Sequence, residues 1–293
     1  MAPVRWFGGK GNLLNQILPL IPYAQGYIEP FGGGGSVFFA RRKSDFEVYN
    51  DKFEHLVTLM RVLRDPEKNA RLLHLCRYTL YARSEKYYAW DMLKAGTYRD
   101  DVERAWAFYI TMNMGFGGKF EGSWGIGNKA TGSTGKTTGY TKYNTKLSLF
   151  LLWLNRLTTA QIECKDAAEI IALYDNHNHV IYCDPPYIAS ARKGNGKDYE
   201  NEMNDAQHEA FLNQCLKAES AVVISGYGNE LYQDLLAGWE LRTFETVCHA
   251  AGKVRGSNLQ GAGAVKANQK RTECVWRNKR ALDMINGKIG TLF

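Results

Sequence analysis

Short apolar runs recur along the chain, each bounded by turn-forming residues: Tyr27 to Pro30, Glu47 to Asn50, Val180 to Cys183 and Ala221 to Ser225. Their length and their β-branched and aromatic content predict buried strands. Between them, Asn12 to Ile21, Phe53 to Leu63, Asp205 to Leu216 and Glu230 to Leu236 space their apolar residues three and four apart, as a helix with one buried face does. Strands alternating with helices imply an α/β protein built on a parallel, doubly wound sheet. The stretch 56–157 breaks the rhythm, being rich in helix-formers and aromatics without a clear strand. It is expected to be an inserted, mainly helical subdomain, with 1–55 and 158–293 forming the domain that carries it. No internal repeat is present.

Three stretches punctuate this pattern. Gly32 to Gly35 is a run of four glycines, and Gly115 to Gly139 is a Gly/Thr/Lys tract too polar for a core. The third, Ala250 to Thr272, carries Lys253, Arg255, Lys266, Lys270 and Arg271 and no acidic residue.

Composition narrows the class. A chain of 293 residues, 45% of them hydrophobic, can bury a full core. There is no long uninterrupted apolar run and no signal-like stretch between Met1 and Lys10, so the expectation is a soluble, cytoplasmic protein without a membrane partner. The cysteines (Cys76, Cys164, Cys183, Cys215, Cys248, Cys274) are far apart with no C-x-x-C pair. That spacing argues against a zinc site and a disulfide framework, leaving ordinary buried thiols. From Lys52 to Lys146 there are 16 Lys+Arg against 9 Asp+Glu, a surplus equal to the entire net charge of +7. A basic segment in a neutral chassis suits a polyanion, because each neutralised phosphate releases condensed counterions. A solvated basic surface would look the same.

Asp184-Pro185-Pro186-Tyr187 directly follows the apolar run 180–183, at the carboxyl end of an expected strand, which is where open α/β sheets bind ligands. An amino nitrogen conjugated to a purine is a poor nucleophile, since its lone pair is delocalised into the ring. Asp184 can accept one of its N–H groups and the Pro185 carbonyl the other, while the prolines stiffen the turn and Tyr187 offers a stacking face. A plain strand-ending turn would use the same residues. Glu29-Pro30-Phe31-Gly32-Gly33-Gly34-Gly35-Ser36 precedes the helical-looking Val37 to Ala40, giving strand, glycine turn and helix start in order, with Ser36 a suitable N-cap. The run does not match G-x-x-x-x-G-K-[ST], which excludes a P-loop. Asp51, about 20 residues on, stands where an acidic side chain reaches a ribose in nucleotide-binding folds, or else caps the following helix. Arg5-Trp6-Phe7-Gly8-Gly9-Lys10 is compact, cationic and aromatic.

These segments together resemble the D12-class, Dam-like adenine-N6 DNA methyltransferases of the α group. The resemblance covers most of the chain: W-x-G-G-K at Trp6 to Lys10, E-P-F-x-G-G-G-S at Glu29 to Ser36, N-D-x-x-x-x-L at Asn50 to Leu56, then an insertion, then D-P-P-Y. Ser225-Gly226-Tyr227 and Glu273 to Asn278 resemble the later S-x-Y and E-x-x-W-x-N segments. Cofactor motifs before the insertion and the catalytic motif after it define the α group.

The resemblance implies a Rossmann-like methyltransferase sheet with a target-recognition insertion, S-adenosylmethionine (AdoMet) as cofactor, no metal, and double-stranded DNA as partner, the enzyme being a monomer or weak dimer. Direct transfer to a flipped adenine is implied, held by Asp184, Pro185, Pro186 and Tyr187. Trp6, Phe31, Gly32, Gly33, Gly34, Gly35 and Ser36 would shape the cofactor pocket, with Lys10 on its carboxylate, Asp51 on its ribose and Asp166 near its adenine. The aromatic neighbour usual beside that last residue is replaced by Ala167. Asn113, Lys119, Lys129, Lys136, Lys253, Arg255, Lys266 and Lys270 are the expected DNA contacts. The insertion lacks the Dam-type R-Y-N and P-F-G patterns, so the resemblance carries no recognition sequence. A cytosine-N4 or RNA adenine methyltransferase, and an inactive DNA-binding relative, are the alternatives. A leading Asp in the tetrapeptide favours adenine, and the intact cofactor motifs favour an active enzyme.

Overall fold

The computed structural model describes residues 1–125, 138–188, 202–247 and 270–287. Its strands are β1 (Gly26–Glu29), β2 (Phe46–Asn50), β3 (Gln161–Glu163), β4 (His179–Cys183), β5 (Ala221–Tyr227), β6 (Glu240–Val247) and β7 (Lys270–Arg277). They form one sheet in the order β3-β2-β1-β4-β5-β7-β6. β1 to β5 pair in parallel, whereas β7 runs antiparallel to both β5 and β6. The parallel, doubly wound sheet expected from the sequence is thus present, mostly parallel and with β7 reversed among the described strands. The order reverses between β1 and β4, so a crevice opens at their carboxyl ends.

The helices are α1 (Leu14–Ile17), α2 (Glu54–Arg64), α3 (Pro66–Tyr78), α4 (Arg83–Ala95), α5 (Asp101–Met114), α6 (Thr138–Leu147), α7 (Phe150–Leu157), α8 (Ala167–Tyr174), α9 (Asp205–Lys217), α10 (Glu230–Leu235) and α11 (Lys279–Ile285). Several begin at caps legible in the sequence. Asp65 and Asp100 accept backbone N–H groups of α3 and α5, and Asn204 with Gln207 closes a capping box at α9. Two helical expectations fail. The run Asn12 to Ile21 is broken into α1 flanked by 3-10 turns at Lys10–Asn12 and Leu18–Leu20, because Pro19 has no N–H with which to continue an α-helix. Val37 to Ala40 forms one helical turn, closed by the Phe39 and Arg41 amides on the Gly35 and Val37 carbonyls, each at 3.0 Å.

Alternation along the strands divides the core in two. Tyr27, Tyr49, Val180, Tyr182, Val223 and Val275 face one side, where they join the apolar faces of α2, α3, α4, α5 and α7. Ile28, Val48, Ile181, Val222, Ile224 and Trp276 face the other, against Ile170 and Ile171 of α8 and Phe211 and Leu212 of α9. Among the described residues six helices lie between β2 and β3 in sequence, and the residue 55/56 boundary falls within the first turn of α2. This helical part shares its hydrophobic cluster with the sheet. Among the described residues no helix is long and apolar enough to cross a membrane.

Candidate active site

The glycine run leaves the end of β1 and passes beneath the end of β2. Gly32 N–H donates to the Asn50 carbonyl at 2.7 Å, Gly35 N–H to the Gly32 carbonyl at 2.8 Å, and the Tyr49 hydroxyl to the Gly33 carbonyl at 2.6 Å. Side chains have no room here. A Cβ on Gly32 would lie 2.3 Å from the Tyr49 ring, and one on Gly33, whose φ is +48°, would lie 2.7 Å from Trp6 Nε1. Trp6 thus covers the turn.

Asn50 ties three strand ends together, donating to the Pro30 carbonyl at 2.7 Å and exchanging bonds with the Lys165 backbone at 3.1 and 2.9 Å. The next residue, Asp51, accepts from Gly33 N–H and Phe53 N–H, each at 2.8 Å. Burial pushes its carboxyl up to about 6, with the backbone donors working in the opposite direction. Asp51 is therefore both the support of the glycine turn and a brace for the start of α2. Asp166 caps α8 through Ala168 N–H at 3.1 Å and forms an exposed pair with Lys52 at 3.2 Å.

Asp184 follows β4. Its Oδ1 accepts from the Lys10 ammonium at 2.6 Å and from the Ser225 hydroxyl at 3.3 Å. Lys10 also donates to the Tyr187 hydroxyl at 2.6 Å and to the Gly8 carbonyl at 3.3 Å, and it lies 3.3 Å from Glu273 Oε1 on β7. Tyr187 donates in turn to Glu273 at 3.1 Å, while its ring stacks on Tyr227 at a centroid distance of 3.9 Å. Burial opposes the Lys10 charge, but Asp184 and Glu273 outweigh it and hold the ammonium well above its ordinary range. Burial raises both carboxyls, and Lys10 partly restrains each. Nearby, Glu29 accepts from the Tyr27 hydroxyl at 2.6 Å and is pushed up to about 8 by burial.

Trp6, Lys10, Phe31, Gly32, Gly33, Gly34, Ser36, Asp51, Asp166, Asp184, Pro185 and Pro186 all line one cavity of about 460 Å³ at the sheet's carboxyl edge. Gly35 lies behind the turn with φ +73°, and Tyr187 lies behind Asp184. No capping bond links the Ser36 hydroxyl to the turn that follows it. Lys10, given to a cofactor carboxylate by the resemblance, is buried and donates to Asp184 and Tyr187 of the tetrapeptide.

The expected DNA contacts fare differently. Lys119 lines the same cavity, with its ammonium over the Phe7 ring at 4.5 Å. Asn113 is corrected: it is buried, donates to the Pro3 carbonyl at 3.2 Å and accepts from Lys146 at 2.8 Å and from Arg5 N–H at 3.3 Å, so it has no surface to offer DNA. Lys129, Lys136, Lys253, Arg255 and Lys266 lie outside the described residues, as does the side chain of Lys270 on β7. Glu273, Ser225 and Tyr227 were not singled out as site residues from sequence. The available signal was a lone carboxylate beside the buried Cys274, Val275 and Trp276, within the E-x-x-W-x-N segment.

A family model of D12 class N6 adenine-specific DNA methyltransferases matches residues 6–246. The chain is 28% identical over 214 residues to a DNA adenine methylase of Vibrio cholerae, covering 72% of this chain and 74% of the relative. It is 28% identical over 242 residues to the DNA N-6-adenine-methyltransferase of Escherichia phage P1, covering 78% of this chain and 31% of that larger protein. With a Type II methyltransferase of Lactococcus lactis subsp. cremoris the identity is 25% over 295 residues, covering 89% and 91%. The match spans the glycine turn, the helical segment and the Asp184 tetrapeptide alike, and on that ground the chain belongs to the D12 class N6 adenine-specific DNA methyltransferases.

Proposed function

We propose that this enzyme transfers a methyl group from AdoMet to N6 of an adenine turned out of duplex DNA. The observation that carries the reading is the state of Asp184: Lys10 and Ser225 occupy its Oδ1, and among the described contacts Oδ2 accepts nothing, at the wall of the cavity formed by the glycine turn. A fixed carboxylate with one open oxygen beside a nucleotide-sized space is what an acceptor amine needs.

The residues fit AdoMet. Gly32, Gly33 and Gly34 present backbone to the cavity, with Tyr49 and Trp6 packed where side chains on Gly32 and Gly33 would be, and Asp51 presents a carboxylate where ribose hydroxyls would donate. Glu29, which burial raises to about 8 despite the Tyr27 hydroxyl, would ionise beside an ammonium. AdoMet, when bound, supplies a methyl group already activated by its sulfonium. Asp184 Oδ2 accepts one amino N–H and the Pro185 carbonyl the other, drawing the nitrogen towards the pyramidal geometry in which its lone pair can attack. Asp184 then takes the proton that the methylated nitrogen must lose. Because Lys10 sits on Asp184, this reading assigns Lys10 to the acceptor side of the site rather than to the cofactor's carboxylate. Extruding the base costs a few kcal/mol, offset by stacking against the Tyr187 and Tyr227 pair and by phosphate contacts.

Transfer of tritiated methyl to duplex DNA, followed by nucleoside analysis, tests the reading: label in N6-methyl-2'-deoxyadenosine supports it, and label in N4-methyl-2'-deoxycytidine or in RNA alone defeats it. Asp184→Ala is expected to abolish transfer with AdoMet affinity, measured by titration calorimetry, kept within about threefold, because the side chain serves the acceptor.

A further inference from the structure

Among the described strands β7 is the one opposed to the common direction of the sheet, and it places a carboxylate, Glu273, where the adjoining side chains pack into the core. Glu273 is only 2% exposed. A carboxylate removed from water is costly unless paired, so its partners reveal its use. They are the Tyr187 hydroxyl, which donates to it at 3.1 Å, and the Lys10 ammonium at 3.3 Å. Both partners also hold Asp184: Lys10 donates to it directly at 2.6 Å, and Tyr187 is bonded to the same ammonium at 2.6 Å.

We infer that Glu273 is a positioning residue for methyl transfer, holding the Tyr187 hydroxyl and the Lys10 ammonium so that Asp184 presents its open oxygen to the acceptor amine. The inference rests on the reading of Asp184 given above. Lys10 has three protons, and they go to Asp184, Tyr187 and the Gly8 carbonyl. The Tyr187 hydroxyl accepts one of them and so must send its own proton elsewhere, and Glu273 is the acceptor in place. Remove that acceptor and the hydroxyl is free to turn, with Lys10 and the Tyr187 ring following. The second carboxylate also sets the charge of the cluster: it favours the ammonium and opposes ionisation of Asp184. The titratable groups around it among the described residues are Lys10, Asp184, Tyr187, the adjoining Cys274 and, opposite it on β5, Tyr227, while Asp184 in turn raises Tyr182 and Glu29. β6 presents the uncharged Phe244 opposite Glu273.

The test is Glu273→Gln in the full chain, which keeps the shape and removes the charge. Single-turnover transfer to duplex DNA is followed across the pH range, alongside AdoMet titration. The expected result is AdoMet affinity within about twofold and a rate lowered about tenfold or more. The acid limb of the pH profile should move to lower pH, since Asp184 ionises more readily without the second negative charge beside it. A residue that merely fills space would lower the rate with that limb in place. That result, or an undiminished rate, overturns the inference. Asp184→Asn is measured in parallel. Wild-type transfer by it defeats the reading of Asp184, whereas its inactivity together with an unmoved Glu273→Gln profile defeats only the role of Glu273. If Glu273→Gln does not fold, Glu273→Asp is combined with Tyr187→Phe. The double variant should be no slower than Tyr187→Phe alone, and losses that multiply overturn the inference.

Discussion

Asp51 and Asp184 close two strands that flank β1, and burial raises the carboxyl of each, yet their surroundings give them different work. Asp51 is bound only to backbone N–H groups, while Asp184 is bound to a cation. With its carboxyl near 6, Asp51 carries a proton in acid and loses the ability to accept from ribose hydroxyls. AdoMet affinity is therefore expected to be level above about pH 7 and to weaken as pH falls through 6, approaching about tenfold per pH unit in the limit. Asp51→Asn should bind weakly at neutral pH and lose this component. Calorimetry at several pH values checks both, and an acid-side decline of equal steepness in the variant would remove Asp51 from the ribose. Tyr187→Ala should impair capture of the base more than binding of the duplex. The readout is 2-aminopurine at the target position, and a wild-type fluorescence rise would exclude stacking. The residue types at these positions were readable from sequence because each follows an apolar run. Their partners were not. Lys10 and Asp184 are 174 positions apart, and no local pattern shows that one ammonium serves two carboxylates.

Among the elements, the segment after α5 shows how the helical part reaches the cavity. Gly115 bridges Trp124, Phe116 N–H donates to the Ser123 carbonyl at 2.7 Å, and Phe7 N–H donates to the Gly118 carbonyl at 3.0 Å, so this turn is docked on the Trp6 to Lys10 segment. Gly117 and Gly118 share nearly the same backbone, φ +72° and +71°, but only Gly118 is crowded: a Cβ there would lie 2.9 Å from the Trp6 backbone, whereas around Gly117 nothing lies within 4 Å. Gly117→Ala should cost the left-handed strain alone, about 1–2 kcal/mol. Gly118→Ala should cost more and also weaken AdoMet binding, since the Trp6 segment must move. Thermal denaturation with AdoMet titration of the pair checks this, and equal behaviour would show that the docking is dispensable. The same docking puts Lys119 beside Phe7, within the cavity, where the sequence had suggested a contact on DNA. β1, β2, β4 and β5, each a short run of mostly buried residues, were legible. β3 was missed because it has three residues and a half-exposed pattern, and β6 because charged residues interrupt its edge position. The reversal of β7 depends on pairing, which hydrophobic periodicity does not encode.

For the whole molecule, the surplus of basic residues between β2 and β3 is less of a surface than its count implies. Lys146 is buried on the Pro3 carbonyl and Asn113, with burial lowering it to about 7, and Lys86 is buried against aromatic rings. The charges available to phosphates should then come largely from elsewhere, and the acid-free stretch 250–272 is the first candidate. Duplex affinity is expected to fall with salt at a log–log slope of about −0.9 per neutralised phosphate. Lys253→Ala, Arg255→Ala and Lys266→Ala should each make the slope shallower by about one contact and weaken all sequences alike. Slopes unchanged in all three would place the DNA on another face. The fold class and the motif order were readable at this scale, because alternation of elements and spacing of motifs survive in one dimension. The merging of the helical segment with the sheet core was not, since it is made by faces of α2, α5 and α7 that look alike in sequence. One further consequence concerns biosynthesis. The cluster around Asp184 joins residue 10 to residue 273, and β7 must slide between β5 and β6, which leave the ribosome before it. Until then β5 has a bare edge and Lys10 lacks one of its two carboxylates. A translation product cut short before β7 would carry every cofactor motif and still be unable to mark DNA, so an interrupted message yields silence rather than misplaced methyl groups.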